Sequence, residues 1–307
     1  MSSKISVIIC TYSKKMLADV LACVASVKKQ SLEPDEILLV LDPDEDLIKF
    51  YQSHLKNAVE VVISDGFGLS FARNMGVKKC NGDVIVFLDD DVIADENWLK
   101  NLVTNYDDPD VVGVGGLSKP LWKDGKPLWF PEELYWIIGC SYKGLPKKKA
   151  LVRNPIGCNM SFRKKVFDEV GFFKTDYGRI GKKLLSDEET EFSIRALGEI
   201  SNSKIIYDPK AVVHHKVIKS RTTLKYVWNR SFFEGIGKAH LRNKLKKLTP
   251  LKTENSYLKF LLTKSIPSRL RHIYKQSNLL QLLTLFFSTF GVFVGFFICY
   301  IQSFGAK

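Results

Sequence analysis

CNGDVIVFLDDDVIADENW, residues 80–98, holds the decision about this chain. An apolar run of strand character ends in three consecutive aspartates, Asp89, Asp90 and Asp91. Adjacent carboxylates repel one another, so solvent or a bound cation must compensate. On an extended backbone successive side chains alternate, which puts Asp89 and Asp91 on one face and Asp90 on the other. A hard cation such as Mg²⁺ or Mn²⁺ takes one or two such carboxylates and fills its shell with phosphate oxygen and water. The stretch therefore reads either as a solvated turn after a strand or as a metal–diphosphate site.

Around it, ISVIIC (5–10), EILLVLD (36–42), VEVVIS (59–64) and DVIVFLDDD (83–91) are four strands, mostly apolar throughout. ADVLACVASVKKQ (18–30) and LSFARNMGVKKC (69–80) are helices between some of them. Continuous apolar strands fit a mostly parallel sheet covered on both faces, whereas a half-wet antiparallel sheet would alternate. Ligands of such sheets collect at the carboxyl ends of the strands, where Thr11, Asp42 and Asp89–Asp91 fall. Further on, DVVGVGG (110–116) is a strand, helices are expected from about Arg163 and over 186–199, and KIIYDPKAVVHH (204–215) is a strand pair or a strand with a turn. The stretch 117–155 is rich in Trp, Pro and Lys and reads as loops; its Gly and Pro argue against a helix through 117–131, although Trp122, Trp129 and Trp136 are seven apart.

Several side chains are candidates for chemistry. Asp42 could accept the N3–H of a uracil ring or cap the turn after its strand. Arg73 could meet a nucleotide or its phosphates, or pair with a nearby aspartate. Asp187, Glu188 and Glu189 form a second acidic cluster from which one carboxylate could deprotonate an acceptor hydroxyl; helix capping accounts for one or two of the three. His214 and His215 end a strand and point opposite ways, so at most one readily faces a site. His214 is the expected metal ligand, and a structural role for either is the alternative.

Charge separates the chain into parts. Residues 1–215 hold 29 Lys and Arg against 31 Asp and Glu, whereas residues 216–275 hold 16 against 2. A basic stripe of this kind suits a polyanion or an anionic membrane surface. LLQLLTLFFSTFGVFVGFFICY (279–300) has 22 residues without a charge, enough to cross a bilayer core as one helix. KFLLTKSIPSRLRHIYK (259–275) reads as an interfacial segment leading into it. Flanking positive charge predicts that the bulk of the protein is cytoplasmic, on a cell membrane, with a single pass. No signal sequence is evident, and nucleic acid is not expected, because the basic stretch runs into the apolar one. The six cysteines fall in no CxxC spacing and read as reduced thiols.

ISVIICTYSK, EILLVLD, the FARNMGVKKCNGDVIVFLDDD run, GCNMSFRKKVFDEVGFF and SDEETEFSIRALG together resemble family 2 glycosyltransferases of the GT-A fold, over roughly residues 4–216. The resemblance implies an inverting transfer from a nucleotide-sugar donor, UDP-linked sugars favoured. It implies nucleotide contacts from Thr11, Asp42 and Arg73, and a metal and diphosphate held at Asp89–Asp91, with Asp91 the closest match to the metal ligand; Asp90 is expected to join the nucleotide contacts, and Asp89 and His214 the metal. It implies a base among Asp187, Glu188 and Glu189, with Glu189 on the base position counted back from Glu191, Phe192 and Arg195. The sequence departs from the family pattern in Leu41–Asp42, Ser13 and a glutamate as base. RTTLKYVWNRSFFEGIGKAH (221–240) and the apolar end resemble membrane-attached members acting on polyprenyl- or dolichyl-phosphate-linked acceptors. The expected organisation is a catalytic domain over 1–216, a basic membrane-proximal region over 217–276 and a transmembrane helix over 279–301. A nucleotidyltransferase would want a Gly-rich loop near the first strand, and CTYSKKM has none. A non-catalytic membrane adaptor would have no use for two acidic clusters.

Overall fold

The computed structural model describes residues 3–55, 59–176, 187–245 and 251–305. Ser186, the expected opening of the acidic helix, and residues 246–250 of the basic stretch lie outside the described residues. The chain divides into two compact units. One comprises Met1–Lys119, Pro146–Lys182 and Glu188–His215, the other Pro120–Leu145, Lys183–Asp187 and Lys216–Lys307.

The first unit is built on a mixed sheet. Strands β1 (Ile5–Thr11), β2 (Glu36–Leu41), β3 (Glu60–Ile63) and β4 (Val84–Asp89) are parallel, in the order β3-β2-β1-β4. Beyond β4 the sheet turns antiparallel. Strand β8 (Asn159–Arg163) pairs with β4 and with β6 (Val111–Trp122), followed by β9 (Lys204–Val217) and β5 (Val92–Ala94); the short β7 (Ala150–Leu151) also pairs with β9. Parallel character is thus confined to the strands with continuous apolar runs. NMSFR, expected as the lead-in to a helix, is strand β8, because its Met160 and Phe162 fill the sheet's covered face while Ser161 bonds across to Val114 and Tyr106.

Both faces of the parallel half are dry, and strand alternation assigns the residues. Val7 and Ile9 of β1 pack with Val20, Val24 and Val27 of helix α1 (Leu17–Lys28), with Leu47 and Tyr51 of α2 (Glu45–Leu55) and with Trp98 and Leu102 of α4 (Trp98–Val103). Ile8 faces the other way, toward Ala72 and Val77 of α3 (Leu69–Lys79), Val166 and Phe167 of α5 (Lys164–Val170) and Phe192 of α6 (Glu188–Glu199). Helix α2, unmarked by the sequence pattern, starts where the Asp44 carboxylate accepts the Leu47 amide at 2.8 Å. Phe192 is the hub of its layer, with ring centroids 4.9, 4.6 and 4.8 Å from those of Phe162, Phe167 and Phe173.

The second unit is helical. It contains a 3₁₀ helix (Glu132–Ile138), α7 (Leu224–Lys244), α8 (Lys252–Phe260), a π turn (Leu261–Ser265), α9 (Ile266–Leu270) and α10 (Gln276–Gly305). Phe130, Leu134, Ile137, Val217, Val227, Leu261 and Leu285 form its core, with Trp122, Trp129 and Trp136 packed against it. Fully buried Glu133 is held by Arg269 through two bonds of 2.9 and 2.7 Å and by the Ser265 hydroxyl at 2.8 Å. Burial would raise the Glu133 pKa, but the Arg269 guanidinium outweighs it and holds the carboxyl below its ordinary value. Residues Gln276–Gln302 of α10 are long and apolar enough to cross a membrane.

Phe192→Ala should lower the stability of the first unit by about 3–5 kcal/mol, read as a shift in the denaturant midpoint of the detergent-solubilised chain.

Candidate functional site

Parallel strands deliver their carboxyl ends to one edge, and the register fixes which residues arrive together. Thr11 pairs with Leu41, the residue before Asp42, and Cys10 pairs with Asp89. Thr11 is buried. Asp42 accepts the Gly68 amide at 3.3 Å, and Gly68, with φ 115°, opens α3. Burial pushes the Asp42 carboxyl above its ordinary value, against the lowering pull of that amide. Helix α3 returns from there and brings Arg73 to the same edge.

Arg73 is the hub of this edge. Its side chain is 3% exposed. One terminal nitrogen donates to Glu188 Oε1 at 2.9 Å, while the other donates to Asp89 Oδ1 at 3.3 Å and to the Gly157 carbonyl at 3.0 Å. Burial alone would pull the guanidinium's pKa down. The Glu188 and Asp89 carboxylates more than offset it, so the group is held above its usual value. The Cys10 thiol beneath is pushed up to about 12 by burial, against the lowering influence of Arg73; it stays protonated and unreactive. The neighbouring Asn74 is structural. It donates to and accepts from the Phe173 backbone at 2.8 and 3.0 Å.

The two acidic clusters divide in an informative way. Asp89 ends β4 and Asp91 lies past the strand, in the turn, and the two carboxylates join His215; one ligand atom of each falls within 4.8 Å of the others. Asp90 is buried at the turn. Two carboxylates and an imidazole are a donor set that suits a divalent cation of the Mg²⁺ or Mn²⁺ type. The histidine is not the one expected. Strand β5 pairs antiparallel with β9, setting Val92 opposite His215 and Ile93 opposite His214. The residue next to Asp91 therefore aligns with His215, whose Nε2 lies 3.1 Å from Asp91 Oδ1. His214 points the opposite way and reaches Asp95 at 2.9 Å.

In the second cluster, Glu188 is 3% exposed and committed to Arg73. Glu189, half-buried, approaches Gly157: a Cβ built there would lie 3.7 Å from the Glu189 carboxyl carbon and 3.3 Å from Arg73. A side chain at 157 would crowd the Arg73 guanidinium and come into ordinary contact with Glu189. Asp187 has a different partner, pairing with Lys238 of the second unit at 2.7 Å. Burial raises its pKa to about 6, opposed by the Lys238 charge. Gly157 and His215 are added to the candidate site by the structure: the Gly157 carbonyl accepts from Arg73, and the strand register selects His215 from the pair of histidines.

Compared with known proteins, residues 6–171 match the model of the family described as Glycosyl transferase family 2. The chain is 34% identical over 302 residues, 95% of each chain, to a glucosyl-dolichyl phosphate glucuronosyltransferase of Haloferax volcanii. It is 31% identical over 182 residues, 55% of each chain, to the O-antigen chain rhamnosyltransferase RfbN of Salmonella typhimurium. Among solved structures, a crystal structure of GalNAc-T7 with UDP, GalNAc and Mn²⁺ is similar at a TM-score of 0.52 and 18% identity, over 86% of this chain and 56% of that one. At that identity the likeness carries the GT-A fold alone.

Mn²⁺ titration followed by electron paramagnetic resonance should separate the histidines. His215→Ala and Asp91→Ala are expected to weaken binding by at least about tenfold, while His214→Ala binds as the parent does.

Proposed function

The chain belongs to glycosyl transferase family 2, and we propose that it moves a sugar, with inversion, from a nucleoside-diphosphate donor to a lipid-linked acceptor of the polyprenyl- or dolichyl-phosphate class. UDP-linked sugars are the favoured donors. The relative that is similar over 95% of both chains is named a glucosyl-dolichyl phosphate glucuronosyltransferase, and that name supports the lipid class. In this reading α10 anchors the enzyme to the cell membrane, the catalytic unit faces the cytoplasm, and the basic residues beyond 216 meet anionic headgroups.

The observation that carries the proposal is the convergence on Arg73. One buried guanidinium ties Asp89, of the cation cluster, to Glu188, immediately before the expected base. Thr11 and Asp42 then hold the nucleoside, and Asp90 supports the turn that presents the diphosphate end. A divalent cation held by Asp89, Asp91 and His215 would supply charge neutralisation for the departing diphosphate. Arg73 adds a fixed positive charge whose orientation is already determined before substrate arrives, which favours the charge that develops in the transition state.

Glu189 takes the acceptor's proton. Glu188 is held in its ion pair with Arg73, which commits it to positioning the guanidinium. As the acceptor oxygen bonds to the anomeric carbon, the bond from that carbon to the diphosphate oxygen breaks on the opposite face. The electron pair leaves with the nucleoside diphosphate. Asp187, committed to Lys238, has no part in the step.

Glu189→Gln should cut transfer by about 10²–10⁴-fold while Mn²⁺-dependent binding of the nucleotide persists, measured with radiolabelled donor and by calorimetry. Equal transfer by the variant would move the base elsewhere.

A further inference from the structure

Length and apolarity allow α10 to cross a bilayer, but its packing within the second unit bears on how it lies there. Along one side it touches α7 backbone to backbone. A Cβ on Gly235 would lie 2.0 Å from the Val292 carbonyl oxygen, and one on Gly295 would lie 2.0 Å from that of Phe232. The Ser231 and Ser288 hydroxyls are 2.8 Å apart. Trp228 packs on Phe287 and Phe290 at 5.2 and 6.1 Å, and the Arg242 guanidinium lies over Tyr300 at 5.1 Å. The contacts ascend together along both helices, so α7 runs parallel to α10 from about its middle to near its end.

What α7 brings to that level is charge. Arg230, Glu234 and Lys238 follow one another at four-residue spacing. Lys238 lies 2.7 Å from Asp187, 2.8 Å from Glu234 and 3.4 Å from Glu254 of α8, and Arg230 reaches Glu234 at 3.9 Å. These groups stand beside residues 288–296 of α10, through the Ser231 and Gly235 contacts. If Gln276–Gln302 crossed the bilayer along its normal, residue 289 would be at mid-depth. Two cations, three carboxylates and the polar helix KTENSYLKF would then be drawn into the hydrocarbon, where ionised side chains are strongly disfavoured.

The opposite side of α10 is suited to lipid along its whole length. Leu279, Leu283, Phe286, Phe293, Phe297 and Ile301 recur at spacings of three, four or seven residues and are all exposed. That spacing draws one continuous stripe. Just before it, exposed Lys259, Lys264, Arg271 and Lys275 alternate with exposed Leu262, Leu270, Ile273 and Tyr274. This pattern fits anionic headgroups above acyl chains.

We infer that α10 is an in-plane anchor: its Leu279–Ile301 stripe is embedded among the acyl chains of one leaflet, α7 and its ionic row lie on the headgroup side, and both ends of α10 stay on the same face of the membrane. The inference rests on the membrane attachment proposed above and is independent of donor and acceptor. The test uses the full chain with one epitope tag before Met1 and another after Lys307, in sealed vesicles whose outer surface displays the first tag. Protease added outside should remove both tags to the same extent. A second tag that survives until detergent opens the vesicles would overturn the in-plane orientation and leave attachment standing. Recovery of the protein in the supernatant, with the stripe covered by a second copy, would overturn attachment and orientation together.

Discussion

A single buried guanidinium governs how the first unit is arranged. Arg73 cannot discard its charge, and at 3% exposure it cannot rely on water to stabilise it. It must be answered by carboxylates, and the two that answer come from stretches about a hundred residues apart, Asp89 on β4 and Glu188 on α6. Removing the guanidinium would leave the buried Glu188 carboxylate without its partner, a defect that typically costs about 3–5 kcal/mol. The contact that satisfies Arg73 also brings the candidate metal cluster and the helix that opens with Glu188 to one edge of the sheet.

The mixed sheet explains why that edge is furnished from so many places. Parallel strands supply Thr11, Asp42 and Asp89 from their carboxyl ends, and the antiparallel extension returns β9 beside β5 so that His215 completes the cluster with Asp91. The second unit solves a similar problem with different residues. Glu133 is fully buried there and is answered by Arg269 and Ser265. Lys238 gathers Asp187, Glu234 and Glu254 in the same way. Such paired charges tolerate burial against protein far better than exposure to hydrocarbon, and this distinction separates the two sides of α10.

Much of the first unit is legible in the sequence because its signals are local. Continuous apolar runs mark β1 to β4, and the run of three aspartates marks the end of β4. The turn at Asp90 and Asp91, rather than strand alternation, brings Asp89 and Asp91 together. The features that escape depend on pairing between distant segments. NMSFR has the composition of either a strand or a helix lead-in, and its pairing with β4 and β6 decides the matter. His214 and His215 are equivalent in sequence, and only the one-residue register against Val92 selects His215. The triplet Asp187–Glu189 reads as one acidic cluster, yet its members have three different surroundings: Lys238, Arg73 and the approach to Gly157. Hydropathy marks the apolar C-terminal helix by length, but it carries no information about which neighbour covers one side of it.

The decisive measurement is calorimetric titration of nucleoside diphosphates into the full-length protein, with Mn²⁺ and with the metal chelated. A site built on Asp89, Asp91 and His215 beside Arg73 predicts that one nucleotide binds tightly with Mn²⁺ and that the affinity collapses when the metal is removed. Absence of binding by folded protein under either condition, or binding indifferent to the metal, would contradict it.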